Sequence, residues 1–190
     1  ALEQTVLPGL LSAAAVREPK EVRFWSAGCA SGEEAYSLAM FGLRAARENA
    51  KGLRVRVLAS DIDVGMLEKA RAGRYGEAAL RLVPKELLAE FFVADGDGRH
   101  WSVGANLRRC VSFRPLDLFA SPPPPGIDLL LCRNVMIYFS KDMQQNLLLS
   151  FHQALRRGGT FVTGKTETIL GPVRDRFCCL SATARIFQRV

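Results

Sequence analysis

Residues 21–43, EVRFWSAGCASGEEAYSLAMFGL, pass from a strand pattern to a helix pattern across a turn of small residues. Apolar, aromatic and β-branched residues cluster over 21–28, and a glycine turn follows, as a short buried strand requires. A helix is expected to start near Gly32, with Ser31 as candidate N-cap and Glu33 and Glu34 in its first turn. Ala35, Leu38, Ala39, Phe41 and Leu43 would form its buried face. The pattern then repeats. RVRVLAS (54–60) ends in Asp61-Ile62-Asp63, and VGMLEKARAG is a short helix closed by Gly73. VSFRPL (111–116) and IDLLLC (127–132) are two further strands, with Asp117 and Arg133-Asn134 at their carboxyl ends. A helix from about Lys141 to Arg156 carries Met143, Leu147, Leu148, Phe151 and Leu155 on one face and stops at Gly158-Gly159, before a strand TFVTG. Such alternation specifies an α/β fold with a mostly parallel sheet, in which ligands bind beyond the carboxyl ends of the strands.

Two segments depart from the alternation. Residues 74–110 form an extra block with one helix (PKELLAEFF) and a polar DGDGRHWSV stretch. At the end, FCCL and ARIFQRV are joined by Ser181-Ala182-Thr183, too short for a helical crossover, so the last strand is expected to run antiparallel. The four prolines Pro122 to Pro125 mark a stiff loop.

A chain of 190 residues with 48% hydrophobic side chains suffices for one domain. Burying about 70% of the unfolded surface, such a domain needs neither disulfides nor a structural metal. No apolar run approaches the roughly 18 to 20 residues of a membrane span, and ALEQTVLPGLL has an early glutamate and no basic leader. A soluble, cytoplasmic protein with no membrane insertion is expected. The five cysteines form no C-x-x-C pair and there are only two histidines, so no metal site is expected. His100 and His152 read as exposed or structural, and Cys29 and Cys132 as packing residues. The net charge of +7 admits an acidic partner or nucleic acid. The basic residues are scattered and not interleaved with aromatics, which argues against a specific nucleic-acid partner.

The chemistry should lie at the strand ends. Ala27-Gly28-Cys29-Ala30-Ser31-Gly32 lets a ligand approach the backbone, but Glu33 and Glu34 at the following helix start oppose a pyrophosphate and suit an ammonium group. The spacing lacks the G-x-G-x-x-G of dinucleotide binders and the G-K-[ST] of P-loops. Asp61, about 30 residues after the first glycine of that turn, can accept hydrogen bonds from two ribose hydroxyls. Taken singly, the glutamates could merely complement a helix dipole and Asp61 could merely cap a turn. Together with a polar residue at the third strand end, they fit S-adenosylmethionine better than a phosphate-bearing cofactor.

Five segments in order resemble the chemotaxis-receptor glutamate O-methyltransferases of the CheR type: FWSAGCASGEEAYSLA (24–39), LASDIDVGMLEKARAGRY (58–75), LDL (116–118), DLLLCRNVMIYF (128–139) and LRRGGTFVTGKTE (155–167). The resemblance implies a Rossmann-like class I S-adenosylmethionine-dependent methyltransferase fold over residues 1–190, with 74–110 as an inserted helix and small β-subdomain. It implies that Glu34 binds the ammonium of the methionine part, Asp61 the ribose, Asp117 and Leu118 the adenine, and Ala27 the cofactor through its backbone. Arg133, Asn134 and Tyr138 would also contact the cofactor, walling the reactive methyl and the incoming carboxylate, with Arg133 and Tyr138 the catalytic candidates. The implied partner is the cytoplasmic domain of a methyl-accepting receptor.

The chain departs from the family at three places. Asp117 stands where asparagine is frequent, and Lys165 where a G-H-[ST]-E run has histidine. A T-x-F-F-R element and a small helical domain expected upstream of Ala1 are absent from these 190 residues, from which intact cofactor binding with weak or no turnover is expected. The DGDGRHWSV loop is short beside tail-binding members, so tethering to a receptor's C-terminal peptide is not expected. Two other readings stay open: a non-catalytic S-adenosylmethionine or S-adenosylhomocysteine binding module, and an RNA or small-molecule methyltransferase.

Overall fold

The computed structural model describes residues 2–50, 52–169 and 171–190. A π-helical stretch Leu2–Val6 leads into α1 (Leu7–Ala15), followed by β1 (Glu21–Ala27), α2 (Glu33–Asn49), β2 (Arg54–Asp61) and α3 (Val64–Ala72). A smaller unit comes next: β3 (Arg74–Gly76), the single turn α4 (Glu77–Leu80), α5 (Lys85–Phe91), β4 (Phe92–Ala94), β5 (His100–Val103) and the single turn α6 (Ala105–Arg108). The chain returns to the main sheet with β6 (Val111–Pro115), β7 (Ile127–Cys132), α7 (Lys141–Ala154), β8 (Leu155–Thr163), β9 (Phe177–Ser181) and β10 (Ile186–Arg189).

Seven strands lie in the order β6-β2-β1-β7-β8-β10-β9, while β3, β5 and β4 make a separate antiparallel sheet. Strand β1 pairs in parallel with both β2 and β7, so the winding reverses beside it and opens a crevice at its carboxyl end. Strand β10 slots antiparallel between β8 and β9, the terminal hairpin that the short 181–183 turn requires.

Every residue of β7 is buried, because a parallel strand at the centre of such a sheet is covered on both faces. On one face Phe24 and Val57 pack against Leu11 of α1 and Leu38 of α2. On the other, Trp25 and Leu130 meet Leu147 and Phe151 of α7. Trp25 stands edge-on to Phe151 at 5.5 Å, and its indole N–H donates to Ser60 Oγ at 2.9 Å, which satisfies its one polar atom inside the core. Burying a side chain such as Phe24 contributes about 1.5–3 kcal/mol, so these two clusters fix where the strand ends stand. Among the described residues no helix is long and apolar enough to cross a membrane.

Two local expectations are corrected. The N-cap of α2 is Gly32, at φ 92°, not Ser31, whose hydroxyl instead donates to the Glu33 carboxylate at 2.8 and 2.9 Å. The tight turn needs a left-handed residue at the helix entry, and that conformation excludes a serine cap there. Helix α7 ends at Ala154 rather than at Gly158-Gly159, because Leu155 already adopts an extended ψ of 145° and begins β8. Gly158, at φ 75°, sits in the irregular part of β8 where its register with β7 shifts. A glycine pair that could close a helix serves here as a strand bulge.

Candidate active site

The turn after β1 is held mainly by backbone. Gly28 and Cys29 donate their N–H groups to the Ser60 carbonyl at 2.8 and 3.0 Å, and Gly32 donates to the Cys29 carbonyl at 2.9 Å. The Tyr75 hydroxyl, from the small sheet, donates to the Ser31 carbonyl at 2.7 Å. Gly28 has φ 75°, and a Cβ there would stand 2.5 Å from Val135 Cγ2, so any other residue is strained here and must displace the facing Val135 side chain.

Asp61 ends β2 and ties that turn to the next one. Its Oδ2 accepts from Ala30 N at 2.8 Å and its Oδ1 from Asp63 N at 3.0 Å. Each oxygen keeps further acceptor capacity, so holding the turn and accepting ribose hydroxyls are compatible. Capping of α3 falls to Asp63, whose Oδ1 accepts from Met66 N at 3.0 Å.

Glu34, one residue into α2, accepts from Ser26 Oγ at 2.7 Å through Oε1, while Arg133 Nη1 stands 3.4 Å from Oε2. Burial raises its carboxyl above the ordinary 4.5, and the Ser26 hydroxyl and the Arg133 charge pull it back down. The carboxylate is thus partly desolvated and only loosely paired, since the Arg133 side chain is 45% exposed. A cationic ligand group would complete it. Ser26 is fully buried, and nothing in the residue pattern marks it as a partner.

The loop after β7 is held differently. Glu167, only 5% exposed, accepts four backbone N–H bonds: Asn134 at 3.1 Å and Gly164 at 2.6 Å on Oε2, Val135 at 3.0 Å and Met136 at 2.8 Å on Oε1. No cation pairs with it among the described residues. Converging amides supply the compensation that a buried charge needs. They also fix Asn134 in a left-handed conformation at φ 59°, which turns the chain sharply at the strand end. Sequence reasoning missed Glu167: a lone acid after a strand carries no periodic signal, and its position in the matched GKTE run was the only available pointer.

These loops enclose a cavity of about 680 Å³. Of the residues expected at the site, Asp61, Asp117, Leu118, Arg133, Asn134 and Tyr138 line it. Ala27 is fully buried behind Gly28, and Glu34 reaches the wall through Arg133. Ile62, Phe119, Phe139 and Met143 supply apolar surface, Met143 coming from the α7 face that otherwise fills the core. Phe119 and Phe139 meet edge-to-face at 4.8 Å. Asp117 Oδ1 accepts from Phe119 N at 2.8 Å and Ala120 N at 3.2 Å, which sets the Leu118–Phe119 turn and leaves its second oxygen without a partner among the described residues. Tyr138 lies at the rim on a 3-10 turn (Met136–Tyr138) and is 80% exposed. An apolar pocket with a few converging polar groups is the usual form of a small-molecule site.

Cys29 and Cys132 are buried beside the loops, and burial pushes the Cys29 thiol up to about 12 and Cys132 well above its ordinary value, so neither is an activated thiolate. His100 pairs with Asp97 in the small sheet and His152 packs edge-on against Phe177; neither lines the cavity. A smaller cavity of about 240 Å³ shares Arg133 with the first and is also lined by Lys165.

The family described as CheR methyltransferase, SAM binding domain, matches residues 1–186. Chemotaxis protein methyltransferase 1 of Pseudomonas aeruginosa is 38% identical over 192 residues, covering 99% of this chain and 68% of that protein. The chemotaxis protein methyltransferase of Borreliella burgdorferi is 36% identical over 172 residues, covering 90% and 60%. An uncharacterized 104.1 kDa protein of Rhodobacter capsulatus is 34% identical over 187 residues, 98% of this chain but 19% of that protein. The chain therefore spans between about one fifth and two thirds of the length of these relatives.

Proposed function

The chain belongs to the CheR methyltransferase family, and we propose that residues 1–190 are the methyltransferase domain of a protein-glutamate O-methyltransferase acting in the cytoplasm on a methyl-accepting receptor. Residues 74–110 are read as its inserted small β-subdomain, with no tethering role assigned. One observation carries the reading: a hydroxyl-seeking acid, Asp61, lines the apolar cavity, an ammonium-seeking acid, Glu34, stands behind its Arg133 wall, and the 28–34 turn has neither the G-x-G-x-x-G nor the G-K-[ST] spacing of phosphate binders. The donor set fits S-adenosylmethionine. Gly28 lets a ligand lie against the backbone, Asp61 accepts the ribose hydroxyls, and Leu118 with Asp117 borders the adenine.

When bound, S-adenosylmethionine supplies an electrophilic sulfonium methyl group. The acceptor carboxylate, with a reference pKa of about 4.3, is already ionised at neutral pH, so the chain needs to supply position and not a strong base. Arg133 stands at the junction of the two cavities, 3.4 Å from Glu34. An ammonium at Glu34 would replace that weak contact and free the guanidinium for a charge-assisted bond to the acceptor. Tyr138, at the rim, offers a hydroxyl to the same carboxylate. Lys165, exposed on the smaller cavity, adds a second positive charge on the approach.

The test is transfer of radiolabelled methyl from S-adenosylmethionine to a receptor cytoplasmic fragment by the natural protein that carries this chain, with base-labile release as the mark of a glutamyl ester. Wild type should transfer, and Arg133→Ala should slow transfer at least tenfold while S-adenosylhomocysteine affinity stays near wild type. Cofactor binding with no transfer by wild type would leave the binding-module reading in its place.

A further inference from the structure

Among the described residues no helix covers the face of the main sheet opposite α2 where β6, β2 and β1 adjoin. The 116–126 connection from β6 to β7 contains no helix, and its four prolines cannot form one. Strand alternation sends Phe24 and Val57 into the core and turns Arg23, Arg56 and Arg114 to the open side. There they line a cleft of about 460 Å³ together with Arg109, and the lining contains one carboxylate, Glu21, against these four arginines. Arg23 and Arg56 are direct cross-strand neighbours, an arrangement of like charges that costs stability. Glu21 offsets it only in part: its carboxylate is 3.5 Å from Arg56 and 4.0 Å from both Arg23 and Arg54. The Arg109 side chain pairs only with the neutral Asn106, and the Arg114 side chain has no hydrogen-bond or ion-pair partner, among the described residues. Leu58, Pro124 and Pro125 add apolar wall.

We propose that this cleft is a second ligand site, separate from the cofactor cavity, which binds the polyphosphate group of a nucleotide-sized anion. The guanidinium fork matches phosphate oxygens bidentately, four such groups converge on a concavity of small-molecule size, and apolar surface lies beside them. The excess charge that destabilises the free sheet becomes favourable when a polyanion sits between the arginines.

Calorimetry tests the proposal with inorganic tripolyphosphate and with UTP as probes, the cofactor cavity being saturated with S-adenosylhomocysteine. One equivalent of probe should bind, more weakly as salt is raised, and the Arg56→Ala/Arg114→Ala double variant should lose at least tenfold in affinity. Arg81→Ala, an exposed arginine of the small unit, should bind as wild type. Tighter binding of UTP assigns the site to a nucleotide, and equal affinity assigns it to an inorganic polyphosphate chain. No binding of either probe, or equal losses in the double variant and in Arg81→Ala, would overturn the site. Circular dichroism melts of both variants check that the sheet is intact.

Discussion

Two turns face each other across the cofactor cavity, and they are built by opposite means. The 28–32 turn is stitched to its neighbour strand by backbone bonds to Ser60 and by Asp61. The 133–136 turn has its three inward amides on one carboxylate, Glu167, which lies more than thirty positions away in sequence. The first distributes its support over separate bonds to Ser60, Asp61 and Tyr75, whereas the second concentrates it in a single buried charge. Distributed support tolerates the loss of one member, and concentrated support does not.

The largest effect is expected from Glu167→Ala. It strands four backbone donors, each costing about 1–3 kcal/mol if unsatisfied, so a loss of about 4 kcal/mol or more in unfolding free energy is expected. Denaturant melts measure it, and a change within 1 kcal/mol would mean the loop has other support. Glu167→Gln keeps the shape but turns an amide donor toward the same N–H groups, and should lie between wild type and alanine.

On the other turn, Gly28→Ala should cost about 2 kcal/mol, from the left-handed backbone and from pushing Val135 aside. Because that push crosses the cavity to the Glu167-held loop, S-adenosylhomocysteine affinity should fall as well. Asp61→Ala should weaken that affinity by roughly tenfold to a hundredfold, the worth of a charged hydrogen bond. Isothermal titration reads both, and unchanged binding in Asp61→Ala would remove Asp61 from the site.

A pH titration sharpens the role of Glu34. Burial raises its carboxyl in the free protein, and an ammonium ligand would lower it again. Between those two values the complex holds fewer protons than the free protein, so affinity should rise with pH up to the raised value of the free protein, above the ordinary 4.5. Proton release on binding, seen by calorimetry in buffers of different ionisation enthalpy, checks this, and Glu34→Gln should abolish the dependence. The smallest effect is expected from Asp63→Ala, which removes the α3 cap outside both turns and should cost about 1 kcal/mol in thermal stability with cofactor affinity unchanged.

The strand-helix alternation is legible in the residue order, because burial on both faces of a parallel strand forces continuous apolar runs such as that of 127–132 and because glycine turns punctuate them. The residue order also marks Asp61, Asp117 and Arg133, which stand at strand ends where topology alone directs a ligand. The rest depends on strand pairing and packing. Gly158 reads as a helix stop until pairing with β7 makes it a bulge, and Ser31 reads as a cap until the turn demands glycine at the next position. Glu167 and Ser26 have no local mark because their work is done on partners far away in the chain or buried under another side chain. Arg23, Arg56, Arg109 and Arg114 look like scattered surface charge in the sequence and become one cleft only when β1, β2 and β6 lie side by side. Periodicity records which face of an element is buried, but hydrogen-bond satisfaction and charge convergence depend on distances that exist only after the sheet has closed.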